Sequence, residues 1–183
     1  KQPLVLGHAA FALAVGDWNG DKKPDLAAIT DDDKLVLRMQ DAKGGWTLKK
    51  DFALDSTSED TEVLAAADLN ADGKTDLALL TDTRLMIVTQ KDKAGEWSDP
   101  LTYALGESGC AGLHVADLNA DSKLDLFYTA PEGDALLVRL QQEDKSFGEE
   151  WRIEIPTSRH WLHPVRLGGG KIGVAWIQSE TGM

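Results

Sequence analysis

Three nine-residue stretches of this chain carry oxygen side chains at the same offsets. They are Asp17-Trp18-Asn19-Gly20-Asp21-Lys22-Lys23-Pro24-Asp25, Asp68-Leu69-Asn70-Ala71-Asp72-Gly73-Lys74-Thr75-Asp76 and Asp117-Leu118-Asn119-Ala120-Asp121-Ser122-Lys123-Leu124-Asp125. Calcium takes about six to eight oxygens at roughly 2.3–2.6 Å, and alternate residues of a curling loop can aim their side chains at one centre. The chemistry on offer is the binding of a hard divalent cation. Magnesium fits less well, because it sheds water reluctantly and seldom sits in an all-protein cage. Asp and Asn also favour Asx-turns at strand ends, yet four oxygen donors at fixed offsets in three loops exceed what a turn requires. An EF-hand would need a bidentate Glu at loop position 12 and helices on both sides. The twelfth residues here are Ala28, Leu79 and Tyr128, inside apolar runs.

The elements that must hold these loops are short and extended. Before each loop stands an apolar segment: Phe11 to Val15, Glu62 to Ala67 and Gly112 to Ala116. After each stands another: Leu26 to Ile29, Leu77 to Leu80 and Leu126 to Thr129. A polar turn leads to a third run (Leu35 to Met39, Leu85 to Thr89, Ala135 to Leu140), and a charged turn leads to a fourth that carries an aromatic (Trp46 to Phe52, Trp97 to Leu105, Phe147 to Ile155). Helical spacing is not sustained over any window of helix length. The loops begin at residues 17, 68 and 117, a period of about 50 residues, which is the signature of a repeat architecture. Four short strands per period predict an all-β fold of four-stranded antiparallel units.

The repeats are expected at about 9–58, 59–108 and 109–158, within one segment spanning 1–183. Residues 1–7 read as an end strand of a preceding or closing blade, and 159–183 as a degenerate partial repeat whose loop has shrunk to three glycines and lost its aspartates. Radial repetition of such units makes a β-propeller of about four to eight blades. The fold expected is therefore a propeller arc of three complete blades with partial blades at both ends.

This pattern, Asp-x-Asn-x-Asp-Gly-x-x-Asp-Leu between the first two strands of a repeated β-unit, resembles the FG-GAP/VCBS repeats, the calcium-binding propeller blades of integrin α-subunits and of many bacterial surface and secreted proteins. The resemblance covers about residues 9–155 and, more weakly, 160–177. It implies three Ca²⁺ sites. The first would use the side chains of Asp17, Asn19, Asp21 and Asp25 with the backbone carbonyl of Lys23. The second would use Asp68, Asn70, Asp72, Asp76 and the carbonyl of Lys74. The third would use Asp117, Asn119, Asp121, Asp125 and the carbonyl of Lys123. At position 6, Gly73 suits a sharp turn, whereas Lys22 and Ser122 must adopt it at some strain.

Composition agrees with that reading. The formal net charge is −12, which argues against nucleic acid, whose phosphates require a basic face. The single cysteine, Cys110, allows no intrachain disulfide and reads as a buried thiol. No run approaches the roughly 18 apolar residues of a membrane-spanning helix, and a chain starting at Lys1 reads as a piece of a longer precursor. His8 and His114 stand alone. Arg159-His160-Trp161-Leu162-His163 is the nearest thing to a catalytic cluster, but histidines three apart on a strand point to opposite sides. No serine-hydrolase, phosphate-loop or zinc-protease motif occurs, so no enzymatic role is expected for this segment. Trp46, Trp97 and Trp151 are expected to pack between blades and Trp18 in the core, with Trp161 or Trp176 free to stack on a sugar ring or anchor a partner. The expected role is a calcium-stabilised module of a secreted or cell-surface protein, extracellular or periplasmic, for protein or glycan binding, adhesion or scaffolding. The partner would be a protein or carbohydrate ligand, or the remaining blades of the same precursor. An accessory propeller of a secreted polysaccharide-active enzyme is the alternative.

Overall fold

The computed structural model describes residues 4–56, 62–93, 95–155, 160–166 and 172–177. Every element among them is a β-strand, and among the described residues no helix is long and apolar enough to cross a membrane. The chain divides into two compact units, Lys1–Ala104 and Leu105–Met183.

The first unit holds two sheets of the same design. One contains β1 (Ala10–Gly16), β2 (Asp25–Thr30), β3 (Lys34–Gln40) and β4 (Trp46–Ala53); the other contains β5 (Leu64–Ala67), β6 (Asp76–Leu80), β7 (Arg84–Val88) and β8 (Leu101–Ala104). In each the strands lie in chain order and pair antiparallel. The second unit repeats the design with β9 (Ala111–Ala116), β10 (Asp125–Thr129), β11 (Ala135–Arg139) and β12 (Trp151–Glu154), and adds an antiparallel pair, β13 (His160–Arg166) and β14 (Ile172–Ile177). These are three blades of propeller type, each an up-and-down four-stranded sheet. Residues 4–9 lie outside any strand. Residues 167–170, where the glycine turn is expected, and Arg159 lie outside the described residues, as do the side chains of His160, Trp161, His163 and Trp176.

The second strand of each blade explains why its sequence reads as an unbroken apolar run. Asp76 to Leu80 are all buried, and Leu26 is the sole residue of β2 that is not. A strand covered on both faces has no solvent side to alternate toward. The fourth strand is less regular than the sequence suggests. Trp97 and Phe147 each make only an isolated bridge, to Gln90 and Gln141, and the ladders resume at Leu101 and Trp151. Pro100 has no N–H to donate at the break. The misplaced tryptophan follows from that offset. Phe147, 5% exposed, holds the place in the third blade that Trp97 holds in the second, and Trp151 falls on the outer strand with 59% of its surface exposed rather than packed between blades. Trp46 is half-buried.

Trp18 is fully buried, as expected, and ties the first two blades together. Its ring meets Trp97 edge-on at 6.1 Å between centroids and an interplanar angle of 68°, and its carbonyl accepts a hydrogen bond from Gln90 Nε2 at 2.5 Å. The ring lies close against Gly16, where an added Cβ would stand 2.9 Å from Trp18 Nε1. The other two blades carry the complementary choice, with Ala67 before Leu69 and Ala116 before Leu118. The larger ring therefore requires the missing methyl. Gly16→Ala is expected to destabilise the first unit by about 1–3 kcal/mol through overpacking. Gly16→Ala combined with Trp18→Leu should recover part of that loss, and urea unfolding of the single and double variants measures the coupling.

Candidate metal centres

Each aspartate loop is the connection between the first and second strands of a blade. Position 9 is already the first residue of the second strand: Asp25 pairs with Gly16, Asp76 with Ala67 and Asp125 with Ala116. These three aspartates are fully buried, and their oxygens are used identically. One oxygen accepts the N–H of loop position 2, from Trp18, Leu69 or Leu118, at 2.9, 3.0 and 2.9 Å. The other accepts the N–H of the residue that ends or follows the third strand, Gln40, Gln90 or Gln141, at 2.8, 2.8 and 2.9 Å. The carboxylate thus fastens the loop's entry to the end of the neighbouring third strand. The motif marks these residues only as ligands and does not mark the three glutamines, whose distance from position 9 varies from blade to blade.

The remaining positions build a frame of backbone donors. The position-1 carboxylates accept amides from positions 5 and 6 in all three loops: Asp17 from Asp21 and Lys22, Asp68 from Asp72 and Gly73, Asp117 from Asp121 and Ser122. Position 3 makes an Asx-turn to the amide of position 5, at 2.9 Å for Asn19 and Asn70 and 3.1 Å for Asn119. Position 5 does the same to position 7, at 2.9 Å in each loop. Position 6 is left-handed as expected, with φ of 63° at Lys22, 85° at Gly73 and 69° at Ser122. Position 4 is left-handed as well, at Gly20, Ala71 and Ala120, a second sharp turn that the sequence pattern did not announce.

Charge is distributed unevenly within this frame. Burial pushes Asp17 up, but four backbone N–H groups outweigh it and hold the carboxyl below its usual range. At position 9 burial wins. Asp25 and Asp125 are raised, and Asp76 is pushed up to about 6, with the neighbouring charges of Asp72 and Asp68 adding to the effect. Among the described residues the three carboxylates of a loop do not each place an oxygen within 4.8 Å of the others. They are turned instead to their own amides and, at position 5, to a lysine: Lys74 Nζ stands 3.1 Å from Asp72 Oδ2. The donor set still fits a hard cation. Every candidate side-chain ligand is an oxygen, and an ammonium already rests against the position-5 carboxylate.

Two other clusters were not legible in the sequence. His8 lies between Asp31 and Asp32, with Nδ1 3.2 Å from Asp31 Oδ1 and Nε2 3.5 Å from Asp32 Oδ2. Asp32 is already engaged by Thr30 and Lys34, whose side chain holds its carboxyl down at about 2, so the group reads as a charge cluster fixing the segment before β1. In the third blade, Tyr128 Oη donates to Glu150 Oε2 at 2.5 Å. Arg139 donates to the Gly148 carbonyl at 2.9 Å, and the Gly106 amide donates to Glu150 Oε1 at 3.1 Å. This network braces the broken fourth strand. Cys110 is buried, and burial pushes its thiol up to about 12.

A family model described as an FG-GAP-like repeat matches residues 17–79 and again residues 68–128, each match running from one aspartate loop into the strands beyond the next. The chain belongs to the FG-GAP-like repeat family. No curated protein sequence matches it. Among solved structures it is similar to a chain of the Photorhabdus luminescens Tc holotoxin pore, with a TM-score of 0.51 and 19% identity over 88% of this chain. The match spans only 8% of that much longer chain. It agrees with the all-β, blade-type fold of the FG-GAP repeats seen here.

The position-9 pin can be tested by removal. Asp76→Ala leaves the buried N–H groups of Leu69 and Gln90 without their acceptor, at about 1–3 kcal/mol each, whereas Asp76→Asn keeps an acceptor and should lose less. Because the folded-state carboxyl is raised above its ordinary value of 3.8, the folded state binds the proton more tightly than the unfolded chain. In EDTA its contribution is therefore full below about pH 4 and lost as pH rises through about 6. Urea midpoints across that window should show the slope in the parent chain and a shallower one in Asp76→Asn.

Proposed function

We propose that this chain is a calcium-stabilised β-propeller module of a secreted or cell-surface protein, serving protein or glycan recognition, adhesion or scaffolding rather than catalysis. The observation that carries the reading is the threefold repetition of one loop geometry in an FG-GAP-like repeat, with hard oxygen donors at positions 1, 3, 5 and 9 each time. Asp17, Asn19, Asp21 and Asp25, Asp68, Asn70, Asp72 and Asp76, and Asp117, Asn119, Asp121 and Asp125 would hold three Ca²⁺, joined by the backbone carbonyls of Lys23, Lys74 and Lys123. The ions would neutralise the mutual repulsion within each loop. Three of them offset half of the chain's −12 charge. Extracellular modules often bind calcium with dissociation constants of about 10⁻⁴–10⁻³ M, which suits a compartment where the ion is abundant and supports placement outside the cytosol.

Thermal unfolding in excess EDTA and across a millimolar CaCl₂ series, with MgCl₂ as control, tests this directly. Each occupied site is expected to add about 2.7 kcal/mol at a hundredfold excess over Kd, with little response to magnesium. An unchanged midpoint in calcium would leave the aspartates as turn residues and remove the support for an extracellular setting.

A further inference from the structure

The lysine at loop position 7 is engaged twice in every blade. Its amide donates to one oxygen of the position-5 aspartate, and its ammonium lies against the other. Lys74 Nζ is 3.1 Å from Asp72 Oδ2, Lys123 Nζ is 3.1 Å from Asp121 Oδ2 and Lys23 Nζ is 3.5 Å from Asp21 Oδ2. The same ammonium reaches the turn between the third and fourth strands of its blade. There Lys74 meets Asp92 Oδ1 at 3.0 Å, Lys123 meets Glu143 Oε1 at 2.8 Å, and Lys23 meets the carbonyl oxygen of Asp41 at 3.1 Å. In all three repeats the same cationic group rests on the same carboxylate. Lysine ammonium groups are long-tethered and lose conformational freedom when held, so a threefold in-register placement calls for a physical reason.

We propose that Lys23, Lys74 and Lys123 are built-in competing cations that keep the calcium affinity of the three loops low and yield the position-5 carboxylate when calcium binds. The inference rests on the calcium reading above and concerns how tightly those sites hold the ion. Both oxygens of the position-5 aspartate are occupied, one by an amide and one by the ammonium. A divalent cation must therefore displace the ammonium or bind with a unit positive charge one carboxylate away. A like charge one carboxylate away disfavours a second cation even in water, and more so when the incoming ion is divalent. The displaced ammonium has a place to go. Asp92 and Glu143 are almost fully exposed, and each remains available as its partner while the loop takes up the ion. The first loop differs in offering a carbonyl rather than a carboxylate and in its longer ammonium contact, so its lysine is the weakest competitor.

Isothermal titration with CaCl₂ of the full chain, comparing the parent with Lys74→Met and Lys74→Arg, tests the role. Lys74→Met should lower Kd at one of the three sites by about three- to tenfold at low ionic strength, and the gain should shrink in 1 M KCl, where the Debye length falls to about 3 Å. Lys74→Arg, which keeps the charge, should bind like the parent. In EDTA the order reverses: Lys74→Met should unfold at a lower temperature than the parent, because Asp72 loses its counter-charge. Tighter binding in Met but not in Arg supports the proposal. Unchanged or weaker binding in Lys74→Met overturns it and makes the lysine a positioning residue for Asp72. Absence of calcium heat in every variant overturns the calcium reading and this inference together, and a lower EDTA midpoint in Lys74→Met would then mark the ammonium as the loop's own counter-ion.

Discussion

A carboxylate with no solvent exposure is costly unless its oxygens are met, and Asp25, Asp76 and Asp125 meet that cost in one way. Each accepts one N–H from the start of its loop and one from the end of the third strand. The rest of the blade depends on this arrangement. It fixes where the first strand stops, where the second begins, and how the eight-residue connection between them turns back. Positions 1, 3 and 5 can then curl over their own amides because both ends of the curl are held. The second strand, entered through a buried charge, is committed to the interior from its first residue.

Contacts between blades obey the same economy of space. In the first unit the loop of one blade and the bridged pair beyond the third strand of the next are joined by the Trp18 carbonyl and Gln90, and by the edge-on meeting of Trp18 with Trp97. The glycine that precedes the loop in the first blade, against alanine in the other two, shows that the ring and the backbone beside it are one packing unit. Within the third blade, polar groups brace the fourth strand, through Tyr128, Arg139 and Glu150.

Much of this was legible in the residues. The repeat, the four strands of each blade and the loops between the first two strands follow from apolar runs and turn residues, because those signals are local. What was hidden depends on pairing. Trp151 looked like the counterpart of Trp46 and Trp97 by composition, but the bridge from Gln141 selects Phe147 for the buried place. His8 looked isolated because Asp31 and Asp32 are brought to it by the hairpin between β2 and β3. At position 7 the motif points only to the lysine carbonyl, and the reach of the side chains to a turn about 18–20 residues away has no signature in a nine-residue motif. The left-handed backbone at Ala71 and Ala120 was equally silent, since alanine gives no warning of it.

The pin at position 9 is buried and ties the loop to its sheet, whereas the oxygens of positions 1, 3 and 5 accept amides within the loop itself. The loop's anchorage to its sheet and its internal curl are therefore carried by different residues of the same nine, and the proposed ion would draw on both. Replacing an oxygen at position 1, 3 or 5 would free amides inside the loop but leave the entry to the second strand pinned, so a blade could lose its curl without losing its sheet. In a chain that writes one unit three times, that division lets the loops differ while the sheets they join stay alike.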